Sequence, residues 1–226
     1  LKVNPDAAYF HMTSNETIGG VQWKSFPDTG DVPLVCDMSS DFVSRRVDVS
    51  KFGLIYAGAQ KNAGPAGTSI VIIREDLLER TSDQLPAYLR YSIHAAKDSM
   101  YNTPPVFPIY MVGKTLKWLE EKGGLEAAEK MSAERAGLIY GAMAKNAGFY
   151  SCPVNENCRS EMNIVWRLPS EELEAQFVAE ALAEGMSGLK GHRSVGGCRA
   201  SVYNAMPIEG AKALADFMDH FAAKNG

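Results

Sequence analysis

Short apolar runs separated by turn residues fill the first half of the chain, and helical spacing takes over only in the second half. Residues 7–12, 32–36, 53–57 and 68–73 read as strands, several of them continuously apolar as in a buried sheet. Turn signals lie between them, notably Asn15 to Gly20 and Pro27-Asp28-Thr29-Gly30. No helix of about ten residues or more is expected before Pro104. Buried parallel strands need crossover connections, usually helical. The stretch therefore reads as part of a sheet whose other pieces lie upstream of Leu1, and an amino-terminal truncation is expected. The missing initiator methionine agrees with it, although methionine removal alone would also explain that.

After an irregular stretch over 84–102, Thr103-Pro104-Pro105 opens a helix that runs to Lys122, where Gly123-Gly124 stops it. A second helix is predicted over 125–145, with Ala128, Met131, Ala136, Leu138, Ile139 and Met143 near helical spacing. Residues 149–153, 162–168 and 198–203 are strand-like, and Ser170 caps a helix that reaches Gly185. The last helix opens at Pro207 and presents Ile208, Ala211, Leu214, Phe217 and Phe221 on one face. Two domains are expected: residues 1–118, carrying most of the sheet, and 119–226, a compact α+β unit.

Composition narrows the function classes. The chain has 226 residues, with 23 basic and 27 acidic side chains interspersed and a net charge of −4. That pattern carries no electrostatic footprint for nucleic acid or an anionic membrane. No apolar stretch approaches the ~20 residues needed to span a bilayer, and the first residues resemble no signal peptide, so a cytoplasmic protein is expected. Cys36, Cys152, Cys158 and Cys198 lie apart except for one C-x5-C pair that fits no usual zinc spacing. The histidines form no metal-binding grouping either. Reduced thiols and no metal are the expectation.

The residue that stands out chemically is Lys61, in a run of small residues directly after the apolar strand that ends at Ala57. Small residues at a strand end let a flat ligand approach the backbone, and a short loop can hold an amine above it. Desolvated lysines lose basicity and form imines with aldehydes. Pyridoxal phosphate uses a lysine in this way and also needs an acid at its ring nitrogen. Asp37, at the end of the apolar run 32–36, is the candidate. The plainer reading is a solvated lysine and an aspartate that caps a turn.

Two further places could carry chemistry. Residues 191–199 gather His192, Arg193 and Arg199 around a glycine turn, which suits carboxylate or phosphate, or simply a solvated basic loop. Asn102 and Thr103 precede the helix-opening prolines, where phosphate oxygens can meet unpaired backbone donors, or where Thr103 is only an N-cap.

Five motifs, in the same order, resemble the phosphoserine aminotransferase family of class-V pyridoxal-phosphate enzymes. They are residues 14–18 (Ser-Asn-Glu-Thr-Ile), 36–40 (Cys-Asp-Met-Ser-Ser), 56–62 (Tyr-Ala-Gly-Ala-Gln-Lys-Asn), 101–105 (Tyr-Asn-Thr-Pro-Pro), and 190–197 (Lys-Gly-His-Arg-Ser-Val-Gly-Gly) with 199–205. The resemblance runs through the whole chain. It implies an α/β fold of the aspartate-aminotransferase type (fold type I): a partial large domain with a mostly parallel sheet, and a carboxyl-terminal α+β small domain. It also implies a homodimer with active sites at the subunit interface.

By the same resemblance Lys61 forms the imine with pyridoxal 5'-phosphate, and Asp37 pairs with the pyridine nitrogen. Thr17 bonds the phenolic oxygen, and Gln60 helps hold the phosphate. Asn102 and Thr103 reach that phosphate from the neighbouring subunit. Arg199 takes the substrate carboxylate, and His192 with Arg193 lies near the substrate phosphate. The implied reaction moves nitrogen from glutamate to 3-phosphohydroxypyruvate, giving O-phosphoserine and 2-oxoglutarate.

Family members carry an upstream segment that supplies a Gly-Arg phosphate contact, a tryptophan stacked on the cofactor ring and another His-Arg pair. None of these can be assigned here, and Trp23 is not the stacking residue. A polypeptide of these residues alone is expected to retain cofactor weakly and turn over little. The alternatives are a catalytically silent fragment or dimerisation module, and another enzyme of the same fold such as an alanine–glyoxylate transaminase or a cysteine desulfurase. The charge of the 191–197 loop argues against the last.

Overall fold

The computed structural model describes residues 2–226. In chain order the strands are β1 (Phe10–Thr13), β2 (Asn15–Glu16), β3 (Val21–Gln22), β4 (Leu34–Asp37), β5 (Leu54–Gly58), β6 (Ser69–Ile73), β7 (Asn163–Trp166) and β8 (Cys198–Ser201). The helices are α1 (Glu75–Leu78), α2 (Tyr91–Ala96), α3 (Val106–Glu121), α4 (Gly124–Lys145), α5 (Glu171–Ala183) and α6 (Ile208–Asn225). The residues group into two compact units. One comprises the chain up to Thr13, Pro27–Phe42 and Val47–Trp118; the other comprises Ser14–Phe26, Val43–Arg46 and Leu119–Gly226. Two short pieces of the first 118 residues thus belong with the later unit.

The first unit is built on a four-stranded sheet of order β1-β4-β5-β6. β1, β4 and β5 run parallel, and β6 returns antiparallel along β5. Alternation decides the two faces. Met12, Leu34, Cys36, Ile55 and Ala57 point into the core, at most 6% exposed. The register brings His11 beside Val35, and Thr13, Asp37 and Tyr56 into one row on the opposite face.

In the second unit the antiparallel pair β7–β8 supports α4, α5 and α6. Phe177 on α5 is fully buried at the centre of an aromatic cluster, with ring centroids of Phe217, Phe221 and Trp166 at 5.0, 5.1 and 5.8 Å. The α6 stripe packs as its spacing predicts: Ala211, Leu214, Phe217 and Phe221 are all buried.

Two local expectations are corrected, and one is borne out. The run 149–153 forms no strand; Tyr150 and Ser151 make only isolated bridges, to Ala147 and Arg167, and the Tyr150 hydroxyl instead donates to the Met218 carbonyl at 2.8 Å. The turn signal at 15–20 closes a small hairpin, β2–β3. Finally, α3 starts at Val106, one residue after the prolines, with the Pro105 carbonyl accepting the Ile109 N–H.

Candidate active site

In the first unit Asp37 is the last residue of β4, and β5 ends at Gly58, three residues before Lys61. Because β4 and β5 are parallel neighbours, the carboxylate and the amine-bearing turn lie at the same, carboxyl-terminal edge of the sheet. Open α/β sheets bind their ligands at that edge. The base of the site is tied down by backbone. Asp37 Oδ1 accepts the Ser39 N–H at 2.8 Å, the Ser39 hydroxyl accepts the Gly58 N–H at 3.0 Å, and the Met38 N–H reaches the Tyr56 carbonyl at 2.9 Å.

The turn carrying Lys61 is closed by the Ala59 carbonyl, which accepts the N–H groups of Ala63 and Gly64 at 3.1 and 2.8 Å. Ala57, Ala59 and Ala63 are buried beneath it. The Gln60 side chain folds back over Gly58, where a Cβ would lie 2.5 Å from Gln60 Oε1 and push that movable amide aside. A half-buried amine, a carboxylate anchored by an amide, and a strand end of small residues form a donor set that suits a flat cofactor carrying an aldehyde.

Two residues that the sequence reading left out belong to this face. Tyr56 sits opposite Asp37, and its hydroxyl lies 3.0 Å from His11 Nε2. Burial, followed by the charge of Asp37 and a hydrogen bond to it, holds the Tyr56 hydroxyl above its ordinary pKa. Asn102 and Thr103 are exposed, and the Asn102 amide donates to the Thr103 carbonyl at 3.0 Å. Neither residue sits at a helix end, because α3 begins later.

In the second unit the β2–β3 hairpin, the chain near Val154 and the loop before β8 enclose a cleft of about 710 Å³ lined by Arg167, His192 and Arg199. Arg199 Nη1 donates to the Thr17 carbonyl at 3.2 Å, while Arg199 Nε is buried with no hydrogen-bond partner. A buried, unsatisfied guanidinium donor is costly and suits an incoming carboxylate. His192 Nδ1 accepts the Ser194 N–H at 3.2 Å, which leaves Nε2 as the ring's donor. Arg193 is exposed and lines a second cleft with Glu171, Lys190 and His192, so that His192 borders both clefts. The structure therefore brings Thr17, His192 and Arg199 together, and Arg193 joins His192 but not Arg199.

The profile of the Aminotransferase class-V family matches residues 1–214. Over 223 residues the chain is 59% identical to the phosphoserine aminotransferase of Laribacter hongkongensis, covering 99% of this chain and 62% of that protein. The solved phosphoserine aminotransferase of Bacillus circulans subsp. alkalophilus superposes with a TM-score of 0.98 at 55% identity, covering 100% of this chain and 63% of that one. A PLP-bound phosphoserine aminotransferase from Trichomonas vaginalis superposes with a TM-score of 0.91 at 42% identity, covering 96% and 61%. The chain thus spans a little over three-fifths of the length of these relatives. Its fold is that of the fold-type I, aspartate-aminotransferase-like enzymes.

Proposed function

This chain belongs to the aminotransferase class-V family, and on that premise we propose that it acts in phosphoserine transamination. Nitrogen passes from glutamate to 3-phosphohydroxypyruvate, giving O-phosphoserine and 2-oxoglutarate for serine biosynthesis in the cytoplasm. The observation that carries the reading is the shared sheet edge at which Asp37 ends β4 and Lys61 sits in the turn directly after the adjacent parallel strand β5.

Pyridoxal phosphate, when bound, supplies the aldehyde that takes up the amino group and the ring that draws in the charge left at the α carbon. Asp37 holds the proton on the ring nitrogen, Thr17 steadies the phenolic oxygen, and Gln60 helps anchor the phosphate. With the cofactor bound, the Lys61 amine would hold it at this sheet edge and, when free of it, would accept the proton of the substrate α carbon as a general base. Arg199 takes the substrate carboxylate through its unpaired Nε, and His192 Nε2 donates to the distal anion, near which Arg193 also acts. Asn102 and Thr103 complete the phosphate site of a neighbouring subunit in a homodimer. Val106, Phe107 and Tyr110, all more than half exposed on α3, are the kind of apolar surface a partner covers.

Mixing pyridoxal phosphate with purified protein and with Lys61→Ala tests the reading. The expected result is an absorbance band near ~400 nm in the wild type alone, discharged by glutamate. Absence of any Lys61-dependent band overturns it.

A further inference from the structure

Arg167 and Arg199 line the same cleft, but Arg199 Nε is buried without a partner while Arg167 Nε and Nη1 are both engaged. Arg167 Nε pairs with Glu174 Oε1 at 2.7 Å, and Arg167 Nη1 donates to the Val195 carbonyl at 2.8 Å. Glu174 lies in the first turns of α5 and is only 7% exposed. Its other oxygen accepts the Gly197 N–H at 3.1 Å, and Oε1 also takes the Leu168 N–H at 3.4 Å. One carboxylate thus holds both the cation that grips the loop at Val195 and the amide that closes it at Gly197.

The loop itself is shaped to be gripped. Gly196 and Gly197 have φ of +70° and +71°, a conformation that side chains rarely adopt. A Cβ at Gly197 would come within 2.8 Å of both Arg167 Cδ and the Trp166 carbonyl. The Gly191 N–H closes the ring on the Gly197 carbonyl at 2.8 Å. The His192 carbonyl accepts the N–H groups of Val195 and Gly196, so the imidazole is carried on the segment whose far end Glu174 and Arg167 secure.

We propose that Glu174 and Arg167 are positioning residues that set the conformation of the 191–197 loop and so place His192 for the phosphate of the substrate. Neither touches substrate. Glu174 keeps Arg167 engaged as a structural cation, and Arg199 is the arginine that offers a buried, unpaired Nε to the cleft. The inference deepens the proposed function and rests on it.

The test uses purified protein loaded with pyridoxal phosphate, O-phosphoserine titrations, and the variants Glu174→Gln, His192→Ala and their combination. Glu174→Gln is expected to raise the KM for O-phosphoserine about tenfold while kcat changes less than about twofold, the signature of lost binding. In the His192→Ala background the same change should add little, because coupled residues are not additive. An unchanged KM in Glu174→Gln, or fully additive losses in the double variant, overturns the proposal. Arg167→Lys keeps the charge beside Glu174 but removes the donor to Val195. It should shift KM the same way even if Glu174→Gln fails to fold, and an unshifted KM again overturns the proposal. If wild-type protein binds no O-phosphoserine, the functional reading fails. The clamp is then judged by hydrogen exchange at the Gly197 amide, which must quicken in Glu174→Ala, and unchanged exchange overturns it.

Discussion

Tyr56 registers with Asp37 across the parallel β4–β5 ladder, and its hydroxyl hydrogen-bonds with His11 Nε2 on β1 at 3.0 Å. Burial and then the charge of Asp37 hold that hydroxyl above its ordinary pKa. Three strands are thereby linked on the face where the proposed cofactor acid sits.

Replacing Tyr56 with Phe keeps the ring and removes the bridge. The expected loss is about 1 kcal/mol for a net hydrogen bond, read as a lower midpoint in urea denaturation, with weaker retention of added pyridoxal phosphate. Unchanged values of both would show that the hydroxyl contributes nothing to Asp37.

Phe177 is the hub of the second unit, edge-on to Tyr150, Trp166, Phe217 and Phe221. Phe177→Ala opens a cavity that its neighbours on α6, on β7 and near Tyr150 cannot close, and should cost about 3–5 kcal/mol. Denaturant titration followed by tryptophan fluorescence reads the loss, because Trp166 packs on the same ring.

Asn15 Nδ2 donates to Asn163 Oδ1 at 2.9 Å, and its carbonyl oxygen accepts the Ser160 hydroxyl, with every one of these groups buried. Asn15→Ala leaves buried partners unsatisfied and should destabilise by about 1–3 kcal/mol. Thr17 lies two residues away in the same hairpin, so the affinity of the Arg199 cleft for carboxylate should fall with it. A variant with wild-type stability would mean that water replaces the amide.

Burial, aided by the charge of Glu174, pushes the Cys198 thiol from its ordinary 9.0 up to about 12. Below pH 9 the thiol is protonated in both folded and unfolded chains, so nothing is lost. As pH rises from 9 towards 12 the unfolded chain ionises and the folded one does not. Stability should then fall by about 1.4 kcal/mol per pH unit. Tyr140 and Tyr150, whose pKa values burial also raises, join in only above their ordinary value of 10.0. Urea titrations between pH 8 and 10 should therefore show a slope that Cys198→Ala removes. In parallel, exposed Cys158 should react with iodoacetamide well before Cys198.

The elements most legible in the sequence are those whose pattern is local. The α6 stripe from Ile208 to Phe221 announces one buried face at helical spacing, and packing honours it. The apolar runs that end at Asp37 and Gly58 announce buried strands, and because chemistry collects at strand ends, Lys61 and Asp37 stand out before any contact is known. Residues 149–153 show the limit of such reading. Their composition is strand-like, but β propensity needs a partner edge, and Tyr150 is drawn instead towards α6 by its hydroxyl.

Sequence alone determined where most of the long strands and helices lie, and which amine and carboxylate deserve chemical notice, because periodicity and strand-end residues are written within a few positions of one another. Only the tertiary structure decided that β6 returns antiparallel, that Asn15 meets Asn163 across 148 residues, and that His192 borders two clefts, one shared with Arg199 and the other with Arg193. It also decided that Glu174, one acid among several at the start of α5, is the buried one that holds a glycine loop. Those outcomes depend on which distant backbone group lies within about 3 Å of a side chain, a distance set by packing of the whole unit and carried by no local pattern.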